Sequence, residues 1–173
     1  MNKLSLENLK LLGIIASILC IMPSDSIPLA GYLLLLVTIY YFSKFYKDMK
    51  IFTNFLLSFI FSLVGVILFI LTLFLTTGQF LQNTLIRISY LSLFHVFGIP
   101  IIVLWLFLTI GAIFLKRSYN LLAEYTKSEL FKLTGLLILI GSVLLIVIIG
   151  ALIVYVGLIF QLISFVFIPT KRE

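Results

Sequence analysis

Apolar residues run through this chain in stretches longer than a soluble core helix or strand requires. Residues 51–86, 88–115 and 133–170 contain no Asp, Glu, Lys or Arg. A hydrocarbon core about 30 Å thick takes about 20 helical residues to cross, so each interval holds at least one span. The last interval decides the count. As one straight helix, Leu133–Thr170 would be about 57 Å long, nearly twice the core. Gly150 lies near its middle, between Leu144–Ile149 and Ala151–Val156, and two helices joined by a tight turn near Gly150 fit better than one.

Working outward gives six helices, at about 5–22, 28–47, 50–77, 90–122, 127–149 and 151–169. Pro23–Ile27 forms the first loop, with Pro28 in the first turn of the second helix, where its missing N–H costs nothing. Asp48 caps the third helix. Thr126 and Glu129 have the spacing of a capping box opening the fifth, and the sixth ends before Pro169. Between the third and fourth, Gly78–Ser89 places Gln79, Gln82, Asn83 and Arg87 among Phe80, Leu81, Leu85 and Ile88 in amphipathic order, as at a membrane interface.

Charge tests this count independently. Of the 12 Lys and Arg residues, all but Arg87 fall on one side of an alternating six-helix arrangement, at Lys3, Lys10, Lys44, Lys47, Lys50, Lys116, Arg117, Lys127, Lys132, Lys171 and Arg172. The basic side is the cytoplasmic one. The expected fold is therefore all-α, a polytopic transmembrane helix bundle with both termini inside, in the cell membrane. Five helices would put Lys171 and Arg172 outside. Tyr40, Tyr41, Phe42, Phe45 and Tyr46 gather where an interfacial aromatic belt belongs. Composition agrees: 63% hydrophobic, 10% charged, with a mean hydropathy of +1.32, against about a quarter charged residues in a soluble domain. The net charge of +6 reflects topology rather than nucleic-acid binding, because the basic residues sit singly beside apolar runs. Glu7 and the lack of an A-x-A-like site argue that Leu11–Met22 is a retained helix rather than a cleaved signal. Cys20, alone and in an apolar stretch, forms no internal disulfide.

Two cytoplasmic junctions look alike. Tyr46-Lys47-Asp48-Met49-Lys50-Ile51-Phe52 parallels Tyr125-Thr126-Lys127-Ser128-Glu129-Leu130-Phe131, and Glu7, Lys10 and Gly13 share the spacing of Glu129, Lys132 and Gly135. Repeated helical hairpins leave such traces in many transporters, and short matches in apolar sequence also arise by chance. Through Asn8–Gly13, Tyr46–Asn54 and Leu122–Gly135, the chain resembles a family of small uncharacterised polytopic membrane proteins, mostly archaeal, of unknown function. That resemblance implies an archaeal origin and supplies no catalytic or binding residue.

Candidate chemistry is sparse. With one histidine no His cluster can hold a metal. No phosphate-binding or dinucleotide glycine motif is present, and no carboxylate lies inside a span to relay protons or couple a cation. No cofactor is expected. His95, five residues before Pro100, is either a titratable intramembrane site or a structural imidazole that bonds the Val96 carbonyl left free by Pro100; the second is favoured. Gln161, an amide deep in the last helix, suits an interhelical hydrogen bond better than a ligand contact. The segment Arg117–Lys132 is a docking surface for a partner or anionic lipid, or else a solvated helix extension. Ser58, Ser62, Gly65, Thr72 and Thr76 form one seam along the third helix, interrupted by Phe69. Such a seam is the contact face of a packed helix more often than a pore lining.

Three functions fit. An accessory or scaffold subunit of a membrane complex needs packing surfaces and no chemistry. A small transporter or channel for a neutral or lipid-like substrate draws on the repeat, the Gly98/Pro100 break and the small-residue seam. An intramembrane enzyme would rest on His95 alone. Sequence reasoning favours the first. The expected partners are the lipid bilayer and other membrane subunits or further copies of the chain, with no nucleic acid.

Overall fold

A computed structural model describes residues 5–24, 26–83, 94–147 and 149–169; Asp25, Arg87 and Ile148 lie outside it, as do the side chains of 79–83, 94 and 95. The described residues form α1 (Leu6–Ile21), α2 (Ile27–Tyr46), α3 (Met49–Asn83), α4 (Ile99–Thr126), α5 (Glu129–Val143) and α6 (Ile149–Val166). A π-helical turn, Phe94–Gly98, leads into α4, and a 3-10 turn, Leu144–Val147, follows α5. Among the described residues the fold is all-α, and five helical stretches are long and apolar enough to cross a membrane, namely α2, α3, α4, α6, and α5 taken together with its 3-10 turn to Val147. The exception, α1, has 16 residues and is about 24 Å long.

Consecutive helices pack side by side, and α6 returns to α1 to close a ring. Lys10 fastens the closure, donating from Nζ to the Ile168 carbonyl at 3.1 Å. The ring consists of three hairpins, α1–α2, α3–α4 and α5–α6, and their buried positions recur in register. Leu9, Ile51 and Phe131 correspond, as do Ala16, Ser58 and Ile138 on the first helix of each hairpin. On the second helix Phe42, Leu122 and Ser164 correspond, and so do Ile39, Tyr119 and Gln161. All twelve are buried.

The junctions repeat as well. Lys47 and Lys127 are the non-glycine residues with positive φ among those described, at 58° and 54°. Each is followed by an N–H that reaches back to a helix carbonyl, Asp48 to Ser43 at 3.0 Å and Ser128 to Ala123 at 3.2 Å. A left-handed residue at this position lets the chain end one helix and return at once. Lys47 thus corresponds to Lys127, one residue out of step with the Tyr46/Tyr125 alignment drawn from the sequence.

Several local expectations are corrected. Thr126 is the last residue of α4 and donates to the Leu122 carbonyl at 2.7 Å. The α5 cap falls on Ser128 without a side-chain bond, while Glu129 pairs with Lys132 at 2.9 Å. Asp48 does cap α3, accepting from the Lys50 N–H at 2.9 Å. Phe42 belongs to the core rather than an interfacial belt; it is fully buried, 6.0 Å from the Phe165 ring. The chain reverses at Leu144–Val147, before Gly150, which lies in the first turn of α6. A Cβ there would meet Leu145, Leu144 and the Gly141 carbonyl, so this glycine lets the two helices meet at the turn without itself making the bend. Finally, α3 continues as one helix through Gly78 to Asn83, and residues 84–93 lie outside the described residues.

Candidate functional site

The seam on α3 faces α4. A Cβ at Gly65 would come 2.6 Å from the Phe107 Cβ. One turn lower the relation reverses, because a Cβ at Gly111 would sit 3.0 Å from Ser62 Oγ and 3.1 Å from the Ser58 carbonyl. Small residues thus let each backbone approach the other, as dispersion-driven packing in hydrocarbon requires. Toward the far end, Thr72 bonds its own helix at Leu68, and Thr76 Oγ1 lies 2.8 Å from the Thr72 carbonyl and 3.3 Å from that of Val96. Val96 is the carbonyl that Pro100 cannot serve. Thr76 of α3 thus supplies one contact to it, and the contact expected from His95 lies outside the described atoms. Thr76→Val is expected to lower the detergent melting free energy by up to about 1 kcal/mol, with Thr77→Val as control; equal melting temperatures would show that the Val96 contact contributes nothing.

Inside the ring is a cavity of about 220 Å³ lined from every helix except α1. Ser58 and Ser62 from α3, Tyr32 from α2, Ser142 from α5 and Gln161 from α6 supply its polar groups, and Leu108, Ala112, Leu115, Ile138, Leu145, Val154 and Leu158 the remainder. The lower two seam residues therefore do double duty, contacting α4 and lining the lumen. Gly65, Thr72 and Thr76 are engaged with α4 or with their own helix.

A buried hydrogen-bonded chain lies at the basic end of this lumen. Tyr119 Oη donates to Gln161 Oε1 at 2.7 Å. Gln161 Nε2 donates to Ser17 Oγ at 3.1 Å, and Ser17 donates to the Gly13 carbonyl at 2.8 Å. Gln161 thus joins α4, α6 and α1. Beneath it Phe42, Phe55, Phe131 and Phe165 are all fully buried, and neighbouring rings in this layer pack 5.1–6.3 Å apart. This layer closes the lumen toward the junctions at Lys47 and Lys127. The other wall runs up to Leu145 and Val154, beside the α5–α6 turn.

Sequence reasoning found Gln161, Ser58 and Ser62, and missed Tyr119, Ser17, Tyr32 and Ser142. Tyr119 was assigned to a helical extension outside the membrane because Lys116 and Arg117 precede it. The hairpin register, which sets Tyr119 level with Gln161, was the available signal. The lumen wall offers hydroxyls, one amide and apolar surface, with no charged side chain among the lining residues. It can accept and donate a few hydrogen bonds to an uncharged guest.

Residues 27–159 match the family model described as a protein of unknown function, DUF996. The chain is 29% identical over 173 residues to an uncharacterized protein, MJ1644, of the archaeon Methanocaldococcus jannaschii, covering 98% of this chain and 96% of that one. No solved structure matches.

Proposed function

We propose, for a chain that belongs to the DUF996 family and so inherits no assigned chemistry, that its central lumen binds a small, uncharged, largely apolar molecule, as the site of a carrier in the cell membrane. The observation that carries this reading is the lumen itself, with a layer of tilted and edge-on aromatic rings at one end and neutral polar groups along its wall. Its volume of about 220 Å³ exceeds the roughly 150 Å³ apolar cavity that accepts benzene or xenon. No charged lining residue is available to couple an ion, and no paired nucleophile and base lines the wall, which favours a carrier over a pump or an enzyme. The basic residues set the junctions at Lys47 and Lys127, and both termini, in the cytoplasm.

The test uses purified protein and benzyl alcohol as the probe. A ligand that binds only the folded state stabilises it by RT ln(1 + [L]/Kd), so the melting temperature of the wild type should rise with the alcohol. Ala112→Phe fills the lumen and should abolish the rise. A rise of equal size in both proteins would refute the lumen as the site.

A second reading, an accessory subunit, draws on the apolar outer face of α3, where Ile70 is 59% and Phe74 76% exposed. A stoichiometric protein partner recovered from native membranes, together with no probe binding, would favour it.

A further inference from the structure

The three hairpins differ in length, and the difference places one turn inside the hydrocarbon. Lys116 lies opposite Gly135, where a Cβ would be 3.0 Å from the Lys116 Cα. Beside it, the Arg117 guanidinium reaches over the Phe114 ring at 5.5 Å. These two residues, with Lys132, mark one edge of the hydrocarbon, their charged ends turned to the headgroups. From Lys116 along α4 to Gly98 is about 27 Å, close to a full hydrocarbon thickness. To Trp105 it is only about 16 Å.

The α5–α6 turn is held at the level of Trp105. The indole Nε1 donates to the Val143 carbonyl at 3.0 Å, and the Thr109 hydroxyl lies 3.5 Å from the Ser142 carbonyl. The last carbonyls of a helix have no partner in their own helix. In water such donors are dispensable, but in hydrocarbon an unpaired carbonyl costs several kcal/mol. The adjacent Leu144 N–H is also used, by Ile140 and Ser142. The turn carries no polar side chain, and Ile146 and Val147 are more than half exposed. Capped carbonyls and bare apolar side chains suit lipid and are ill suited to water.

The α1–α2 turn lies no farther out yet has the opposite chemistry. Ser17 is level with Gln161 through their hydrogen bond. Measured along α1, Ile21 is about 6 Å beyond that level. Along α2, where Ile39 is level with Gln161, Ile27 is about 18 Å beyond it, no farther than Ile149 at about 18 Å. Between Ile21 and Ile27 the sequence runs Met22, Pro23, Ser24, Asp25 and Ser26, three of the five polar. A polar turn of this kind must be wetted.

We infer that α5–α6 is a re-entrant hairpin whose turn is seated among outer-leaflet lipid chains, while water reaches down to the α1–α2 turn on the opposite side of α3–α4. The occupant of the ledge above Leu144–Val147 is the acyl chain of a membrane lipid. This rests on the chain spanning a bilayer and is independent of what the lumen binds.

Single cysteines at Ser26, Thr77 and Val147, on a Cys20→Ser background, would be spin-labelled in phosphatidylcholine vesicles. Collisions with dissolved oxygen and with a water-soluble nickel chelate are then compared. The chelate is present on both faces, so the outcome does not depend on orientation. Position 147 should favour oxygen over nickel by at least about tenfold relative to positions 26 and 77, since polar solutes are excluded from hydrocarbon. Equal nickel access at 147 and 26 would place the turn in water and overturn the inference. Shielding of 147 from both reagents would mean that protein, a second copy or a partner, covers it, and would overturn the lipid seat. Exclusion of nickel from position 26 would remove the wetted side. Ile146, equally exposed, serves if the Val147 variant does not fold.

Discussion

Replacing Gly150 by alanine is expected to lower stability by at least about 3 kcal/mol, and to prevent accumulation of folded protein if the wild type is only marginally stable. The added methyl would overlap the Gly141 carbonyl and the backbone of Leu144 and Leu145. Side chains can rotate away from an intruding methyl, but backbone inside a tight helical turn cannot move without separating α5 from α6. Gly78→Ala is the matched control. Nothing lies within 4 Å of a Cβ there, and the site is inside a helix, so alanine should be neutral or stabilise by up to about 1 kcal/mol. Thermal unfolding in one detergent, read by intrinsic fluorescence, compares them. Similar melting temperatures for the two variants would show that the α5–α6 approach at Gly150 is looser than described.

The second large effect is expected at Tyr119 and Gln161. Tyr119→Phe keeps the ring in its layer against Phe55 and Phe131 and removes only the hydroxyl. Gln161 Oε1 then loses its partner in a fully buried site, at a cost of about 1–3 kcal/mol. Gln161→Met keeps the volume but strands the Tyr119 hydroxyl and frees Ser17, with a similar cost. In the double variant both polar partners are gone, so its cost should fall short of the sum of the singles by about 1 kcal/mol or more. Strict additivity would mean the two side chains do not act as a pair. Because Gln161 lines the lumen, the same variants test the ligand site: Tyr119→Phe leaves the lining intact, whereas Gln161→Met removes a polar contact and should weaken probe binding more.

Much of the architecture was already determined along the chain. Charge-free intervals measured against the hydrocarbon thickness, together with the one-sided basic residues, require paired spans; the turn near Gly150 follows because one 57 Å helix would be about twice too long. Local caps at Asp48 and Pro28 depend only on neighbouring backbone and were legible for that reason. The facing of each helix was not. A helix apolar on all sides has no hydropathy contrast to orient it, so only small residues mark a contact face. Those marks served on α3, where Gly65 meets Phe107, and said nothing about which neighbour it met. The fate of Tyr119 was decided by tertiary structure alone. Lys116 and Arg117 can extend their charged ends to headgroups while their own helix stays packed, so a polar sequence neighbourhood surrounds a buried ring. The lumen, the return of α6 onto α1 and the meeting of Ser17 with Gln161 join residues from opposite ends of the chain. No local pattern encodes such a contact, because it is selected by the fit of three hairpins to one another.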